Sequence, residues 1–284
     1  MKYFFARKIK YAMPSMATVV SRFSLGIVLT VLPILFAHFY GNDLAKTVAL
    51  AINLSSYSSW LALGGYATVM RDFRIAKNEF EKYSLNLIYK RLAVFQSIGA
   101  ILLTSVISIA YVELVRPVYL IDSINLLLIG LMFGVVVQCS SFWLNVALGI
   151  SYSSDNFVGV SMGVSILRIL VLVVVFASSY IPINSEVILI VAMVFCGLGS
   201  LFLCRHYSIA PQAPGRDGNV KGKTFASLLA ESVIYFKWSL LATAVFVFPI
   251  TAISSANPDI LLPATIAFFL VGASQNMVAA LITP

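Results

Sequence analysis

Charge is what this sequence has least of. Only 11% of its 284 residues are Asp, Glu, Lys or Arg, where a soluble domain carries roughly 25%. That shortage excludes an ordinary soluble domain. Acid is scarcer still at depth: Asp155 and Glu231 fall at the ends of apolar segments, and no segment carries a carboxylate near its middle. A carrier of organic cations is expected to hold one there, for binding or proton coupling, so this class is disfavoured. The three cysteines, Cys139, Cys196 and Cys204, lie in or beside apolar segments without disulfide or metal-ligand spacing. No metal site and no cofactor are expected. His38 and His206 stand at the ends of different segments and read as interfacial. No GxxxxGK[ST] loop occurs, so the chain is not expected to hydrolyse ATP; no covalent chemistry, and hence no enzyme, is expected.

What it has instead is oil. The chain is 60% hydrophobic, with a mean hydropathy of +0.96. Stretches of about 20 apolar residues match the hydrocarbon thickness of a bilayer. Windows of that length predict helices near 17–39, 44–70, 92–112, 124–150, 157–180, 187–204, 233–254 and 260–282. The expected fold is an all-α polytopic membrane protein of about eight spans. The first segment follows MKYFFARKIK, but it is too long for a signal h-region and lacks an A-x-A site, so it is expected to stay as a helix.

The net charge of +8 reads as membrane orientation rather than as nucleic-acid binding. The N-terminus holds Lys2, Arg7, Lys8 and Lys10. The connection after the second helix holds Arg71, Arg74, Lys77, Lys82, Lys90 and Arg91. The connection after the sixth holds Arg205, Arg216, Lys221 and Lys223. The alternate connections hold only Lys46 and Arg116, against Asp43, Glu113, Asp122, Glu186 and Asp259. Basic loops stay in the cytoplasm, which predicts a cytoplasmic N-terminus.

HYSIAPQAPGRDGNVKGKT, 206–224, is Pro/Gly-rich and without apolar period. It divides the chain into a six-helix lobe (1–204), a cytoplasmic linker (205–224) and the start of a second lobe (225–284). A repeat supports the division. RFSLGIVLTVLPILFAHFYGND from Arg22 and KWSLLATAVFVFPITAISSANPD from Lys237 both open basic–aromatic–Ser–Leu, carry a proline (Pro33, Pro249) and close on Asn and Asp. Parallel six-helix repeats would follow, and the sequence then holds only two helices of the second lobe. The chain is therefore expected to be C-terminally incomplete.

Tyr40-Gly41 at the end of the first helix, Gly64-Gly65 near the close of the second, Arg71 just beyond in LALGGYATVMRDFR, and the closing QNMVAALITP form a recognisable order. In this order the chain resembles the Wzx-type O-antigen flippases of the multidrug/oligosaccharidyl-lipid/polysaccharide superfamily. The resemblance implies a bacterial inner-membrane protein that moves undecaprenyl-diphosphate-linked oligosaccharide to the periplasmic leaflet by alternating access. Implied partners are membrane lipids, an O-antigen polymerase and other assembly proteins.

Arg168 is the deepest charge. It lies twelve residues into a predicted helix of about 36 Å, where a cation costs about 2.5–3.5 kcal/mol on insertion scales. Gly159 and Gly163 are expected to form a packed seam. Arg168, about 140° round from Gly163, is then expected to face a water-filled cavity with Ser161 and Ser165; the alternative is a structural bond to a neighbouring helix's carbonyls. Paired guanidinium donors suit phosphate oxygens, so Arg168, with Arg22 and Lys237 across a lobe interface, is expected to attract a lipid diphosphate. Arg22 and Lys237 are also shallow enough to snorkel to headgroups. Asn53, Gln138, Gln275 and Asn276 are candidates for sugar binding, against the alternative of bridging helices. Tyr57, Trp60 and Tyr66 are further candidates for ring stacking, against packing. Two rival functions remain: a multidrug cation antiporter of the same superfamily, and an inactive truncated fragment.

Overall fold

The computed structural model describes the backbone of residues 2–61, 65–76, 78–115, 124–151, 157–181, 183–207 and 224–282. Within these stretches it leaves the side chains of 2–19, 22, 65–67, 70, 79, 157, 179, 207, 232–236, 238–239, 242–243, 246, 253–256, 258 and 272–282 undescribed. The described chain is helical: α1 (Lys2–Tyr40), α2 (Asn42–Ser56), α3 (Gly65–Ile75), α4 (Glu79–Val115), α5 (Ile124–Ser151), α6 (Phe157–Ala177), α7 (Ser185–Ala192), α8 (Ser200–Tyr207), α9 (Phe225–Ala256) and α10 (Leu261–Ile282). Five stretches among the described residues are long and apolar enough to cross a membrane: Phe23–Tyr40, Phe80–Val115, Ile124–Ser151, Val158–Ala177 and Ser185–His206. The protein is an all-α polytopic membrane protein. Its outward surface fits that solvent: Ile98, Leu102, Val106 and Ile109 of α4, and Ile166, Ile169, Val173 and Phe176 of α6, are exposed.

Local chemistry moves the helix ends away from the apolar windows. Asn78 Oδ1 accepts from the Glu81 amide at 2.8 Å and starts α4 well before residue 92. Thr224 and Ser227 cap each other reciprocally, the Ser227 amide donating to Thr224 Oγ1 and the Thr224 amide to Ser227 Oγ. That box starts α9 at Phe225 rather than near 233. Asn184 caps α7 by accepting from the Glu186 amide. Between α1 and α2, Gly41 has φ +94° and ψ 162°, a region that side chains with a Cβ avoid. Glycine there breaks two helices apart without a loop.

The continuous second helix expected over 44–70 is not what forms. α2 stops at Ser56 and tightens into a 3₁₀ turn over Tyr57–Leu61. Ser55 and Ser56 both donate to the Ile52 carbonyl, and Ser58 donates to the Ser55 carbonyl. Hydroxyls competing for ladder carbonyls at this density favour the tighter turn. A second irregularity joins α7 to α8, a π-helical turn over Met193–Gly199.

α5 runs through the centre, against α2, α3, α4 and the α7–α8 rod. Its glycines set the closest approaches. A Cβ at Gly130 would come within 2.7 Å of the Ala51 Cβ, and Cβ atoms at Gly134 and Gly149 would overlap Ser55 and Val69. Small residues at such spacing let membrane helices close to backbone distance. α9 and α10 close the bundle on the other side of α2, with α10 also lying along α1.

Candidate functional site

α2 is buried on every side from Thr47 to Ser56, so its polar groups must find partners within protein. Thr47, Ser55 and Ser56 donate to carbonyls of their own helix, and Asn53 reaches across to α10. Asn53 Nδ2 donates to Thr265 Oγ1 at 2.5 Å, and the Thr265 hydroxyl in turn donates a hydrogen bond to the Leu261 carbonyl. A turn further along, Tyr57 OH donates to Thr251 Oγ1 at 3.0 Å. Ion pairs stand at the two ends of this seam. At one, Lys46 Nζ lies 2.7 Å from Asp259 Oδ1 and 3.5 Å from Asp43 Oδ1. At the other, Arg71 Nη2 lies 3.2 Å from Glu231 Oε2 and 3.0 Å from Asp72 Oδ1. Tyr89 OH donates to the second Asp72 oxygen at 2.6 Å. Hydrogen bonding to Asp72, foremost, raises the Arg71 guanidinium above its ordinary pKa, so it stays charged.

Four polar contacts at successive depths therefore tie α2–α3 to α9–α10. The sequence-predicted candidates distribute unevenly over this seam. Asn53 is in it, fully buried and bonded to Thr265, the helix-bridging role that was the alternative to sugar binding. Tyr57, a stacking candidate, is buried with its hydroxyl committed to Thr251, and it meets Trp60 edge-on. Gln138 is half-buried on α5, and Lys237 is exposed on α9. The side chains of Arg22, Tyr66, Gln275 and Asn276 lie outside the described residues.

Arg168 calls for the largest correction. It is 1% exposed, and its Nη1 donates to the Ser21 carbonyl of α1 at 2.5 Å. The helix face that carries it is the packed face: Val160, Ser161, Val164, Ser165, Val171 and Val175 are all buried with it. Gly159, expected in the seam, faces open space, and Gly163 meets Leu203. Val160, Val164, Arg168, Val171 and Val175 follow a four-four-three-four spacing, which places the arginine at a core position. The guanidinium lies between apolar clusters around Val171 and Cys196 on one side and Val164 and Cys204 on the other. It is sealed from water in this conformation and bonds as a structural bridge between α1 and α6.

Thr265, Thr251 and the α5 glycines were missed from sequence. The GLMFG stretch Gly130–Gly134 was a legible small-xxx-small signal; the two threonines gave none, since a hydroxyl in an apolar helix most often bonds its own backbone. No family model, curated protein or solved structure matches this chain.

Proposed function

We propose that this chain acts in a bacterial inner-membrane flippase for lipid-diphosphate-linked oligosaccharide, working by alternating access. The observation that carries the proposal is the seam. A transporter that exposes its substrate path to one side at a time needs an interface closable at both membrane faces. α2–α3 against α9–α10 is such an interface, with an ion pair at each end and neutral hydrogen bonds between. In this reading the structure is the occluded state, which accounts for polar groups that pair with each other rather than with a ligand.

The resemblance to O-antigen flippases contributes the substrate, and three of its marker residues acquire physical roles that fit a moving machine. Gly41 separates α1 from α2, Tyr40 OH anchors that joint by donating to the Ile183 carbonyl at 3.0 Å, and Arg71 forms the latch at one face. Exposed Lys237, together with Arg22, attracts the diphosphate; Arg168 holds α1 to α6 and leaves the list of direct substrate contacts. The basic end of the bundle faces the cytoplasm on the positive-inside rule.

Complementation tests the proposal. A strain lacking its own flippase, supplied with the gene encoding this chain in its native context, should regain long-chain surface polysaccharide on a gel. Restored resistance to cationic drugs in an efflux-deficient strain, with no polysaccharide, would replace this function with cation efflux. Neither phenotype would leave the chain without a transport role.

A further inference from the structure

The Arg168 guanidinium has more donors than the chain satisfies. Nη1 is bonded to the Ser21 carbonyl, but among the described residues Nε and Nη2 meet no oxygen or nitrogen acceptor, only the weakly accepting Cys196 thiol lying against the guanidinium. Two hydroxyls, Ser161 Oγ and Ser200 Oγ, are likewise buried and without partner. These groups share one region. Ser161 is two turns before Arg168 on the same face of α6, and a helical side chain leans toward its own N-terminus. Ser200 lies midway between Cys196 and Cys204 at four-residue spacing, and both cysteines lie against the guanidinium.

The elements described around it also bring no counter-charge. α1, α5, α6, the π-helical turn and α8 contain no Asp or Glu. On α7 the carboxylate is Glu186, in the first turn of the rod and about 15 Å along the axis from Cys196. A guanidinium cannot shed its proton, and an isolated buried charge is not tolerated at that depth without a counter-charge. Water would satisfy the donors but leave the charge. Nε and Nη2 form the flat two-donor edge that suits a bound anion, and a sealed site admits a small ion rather than a lipid headgroup.

We propose that the α1–α6–α8 junction is a binding site for a monatomic inorganic anion of the halide class, held by Arg168 Nε and Nη2 with the Ser161 and Ser200 hydroxyls as further donors. The ion is structural: it neutralises the cation that holds α1 to α6. The site goes beyond the transport proposal and does not depend on it.

The test is the thermal stability of the purified full chain in detergent, in sodium chloride, sodium bromide or sodium gluconate at equal ionic strength. Chloride and bromide should each raise Tm over gluconate by at least about 3 °C, in a saturable manner. Arg168→Met should show one Tm in all three salts. If that variant does not fold, the pair Ser161→Ala and Ser200→Ala keeps the cation and should shift the half-saturating halide concentration upward several-fold. A wild-type Tm indifferent to halide, as internal water alone would give, overturns the site. So does a halide response that survives Arg168→Met or, where that variant does not fold, stays unshifted in the serine pair. Polysaccharide display is a separate readout, so failure here and failure of the flippase proposal are distinguishable.

Discussion

Asn53 and Thr265 stand 212 residues apart in sequence and 2.5 Å apart in space, amide to hydroxyl, in the middle of the bundle. The contact makes α2 a shared element: it belongs to the first group of helices by chain order and to α9–α10 by its polar bonds. Within hydrocarbon, such bonds hold helices together where apolar burial offers little. Asn53→Ala should lower stability by about 1 kcal/mol, and a double-mutant cycle with Thr265→Val should give a coupling of about 0.5–1.5 kcal/mol. Unfolding in mixed detergent measures both. A coupling near zero would show the two residues to be neighbours only.

The two ion-pair latches, both closed in this conformation, each predict a crosslink. Lys46→Cys with Asp259→Cys should trap one face closed, and Arg71→Cys with Glu231→Cys the other. Cys139, Cys196 and Cys204 are buried and should stay unreactive. Under alternating access each crosslink alone should abolish polysaccharide display, and reduction should restore it. Breaking the charges alone should cost less than about 1 kcal/mol of stability, because Asp259 and Glu231 are well exposed.

Gly134→Leu should be among the most damaging single changes in the chain. Even a Cβ there overlaps Ser55, so α5 and α2 would have to part, at a cost above the usual overpacking range of about 1–3 kcal/mol. Gly159→Ala, on a face open to its surroundings, should instead be neutral or stabilising by about 0.5–1 kcal/mol. Monodispersity on size-exclusion chromatography and Tm would rank them. The reverse order would place the packed seam back at Gly159.

Gly41→Ala tests the joint between α1 and α2. With φ at +94° and nothing crowding the position, the penalty is purely conformational, about 1–3 kcal/mol. Tm should fall while expression persists. An unchanged Tm would mean that the joint tolerates a different backbone path.

Tyr89→Phe removes the donor to Asp72 Oδ2 and leaves Arg71 holding the other oxygen. The loss should be about 0.5–1.5 kcal/mol, read in the same unfolding assay, and it should vanish in an Asp72→Ala background, which removes the acceptor.

Much of this was legible residue by residue. Hydropathy placed α5 and α6 within a few residues because a bilayer demands backbone bonds satisfied inside each segment. It placed the starts of α4 and α9 too late because Asn78 and the Thr224–Ser227 box extend helices through polar residues that hydropathy discounts. Arg168 was picked out correctly as a deep cation and given the wrong surroundings. The glycines of α6 suggested a seam, while the heptad-like valines on the arginine's own face pointed to burial. Which stripe packs depends on the neighbouring helices, and Ser21 of α1 lies 147 residues away.

By itself the sequence determined the solvent and the helical class, since both follow from local composition: apolar length against bilayer thickness. Tertiary structure alone decided where the polar side chains of those helices are spent. A hydroxyl, an amide or a guanidinium in oil must pair, but several partners satisfy the need equally well by sequence. Only helix packing, set by glycines such as Gly134 and the break at Gly41, brings one partner within 3 Å rather than another.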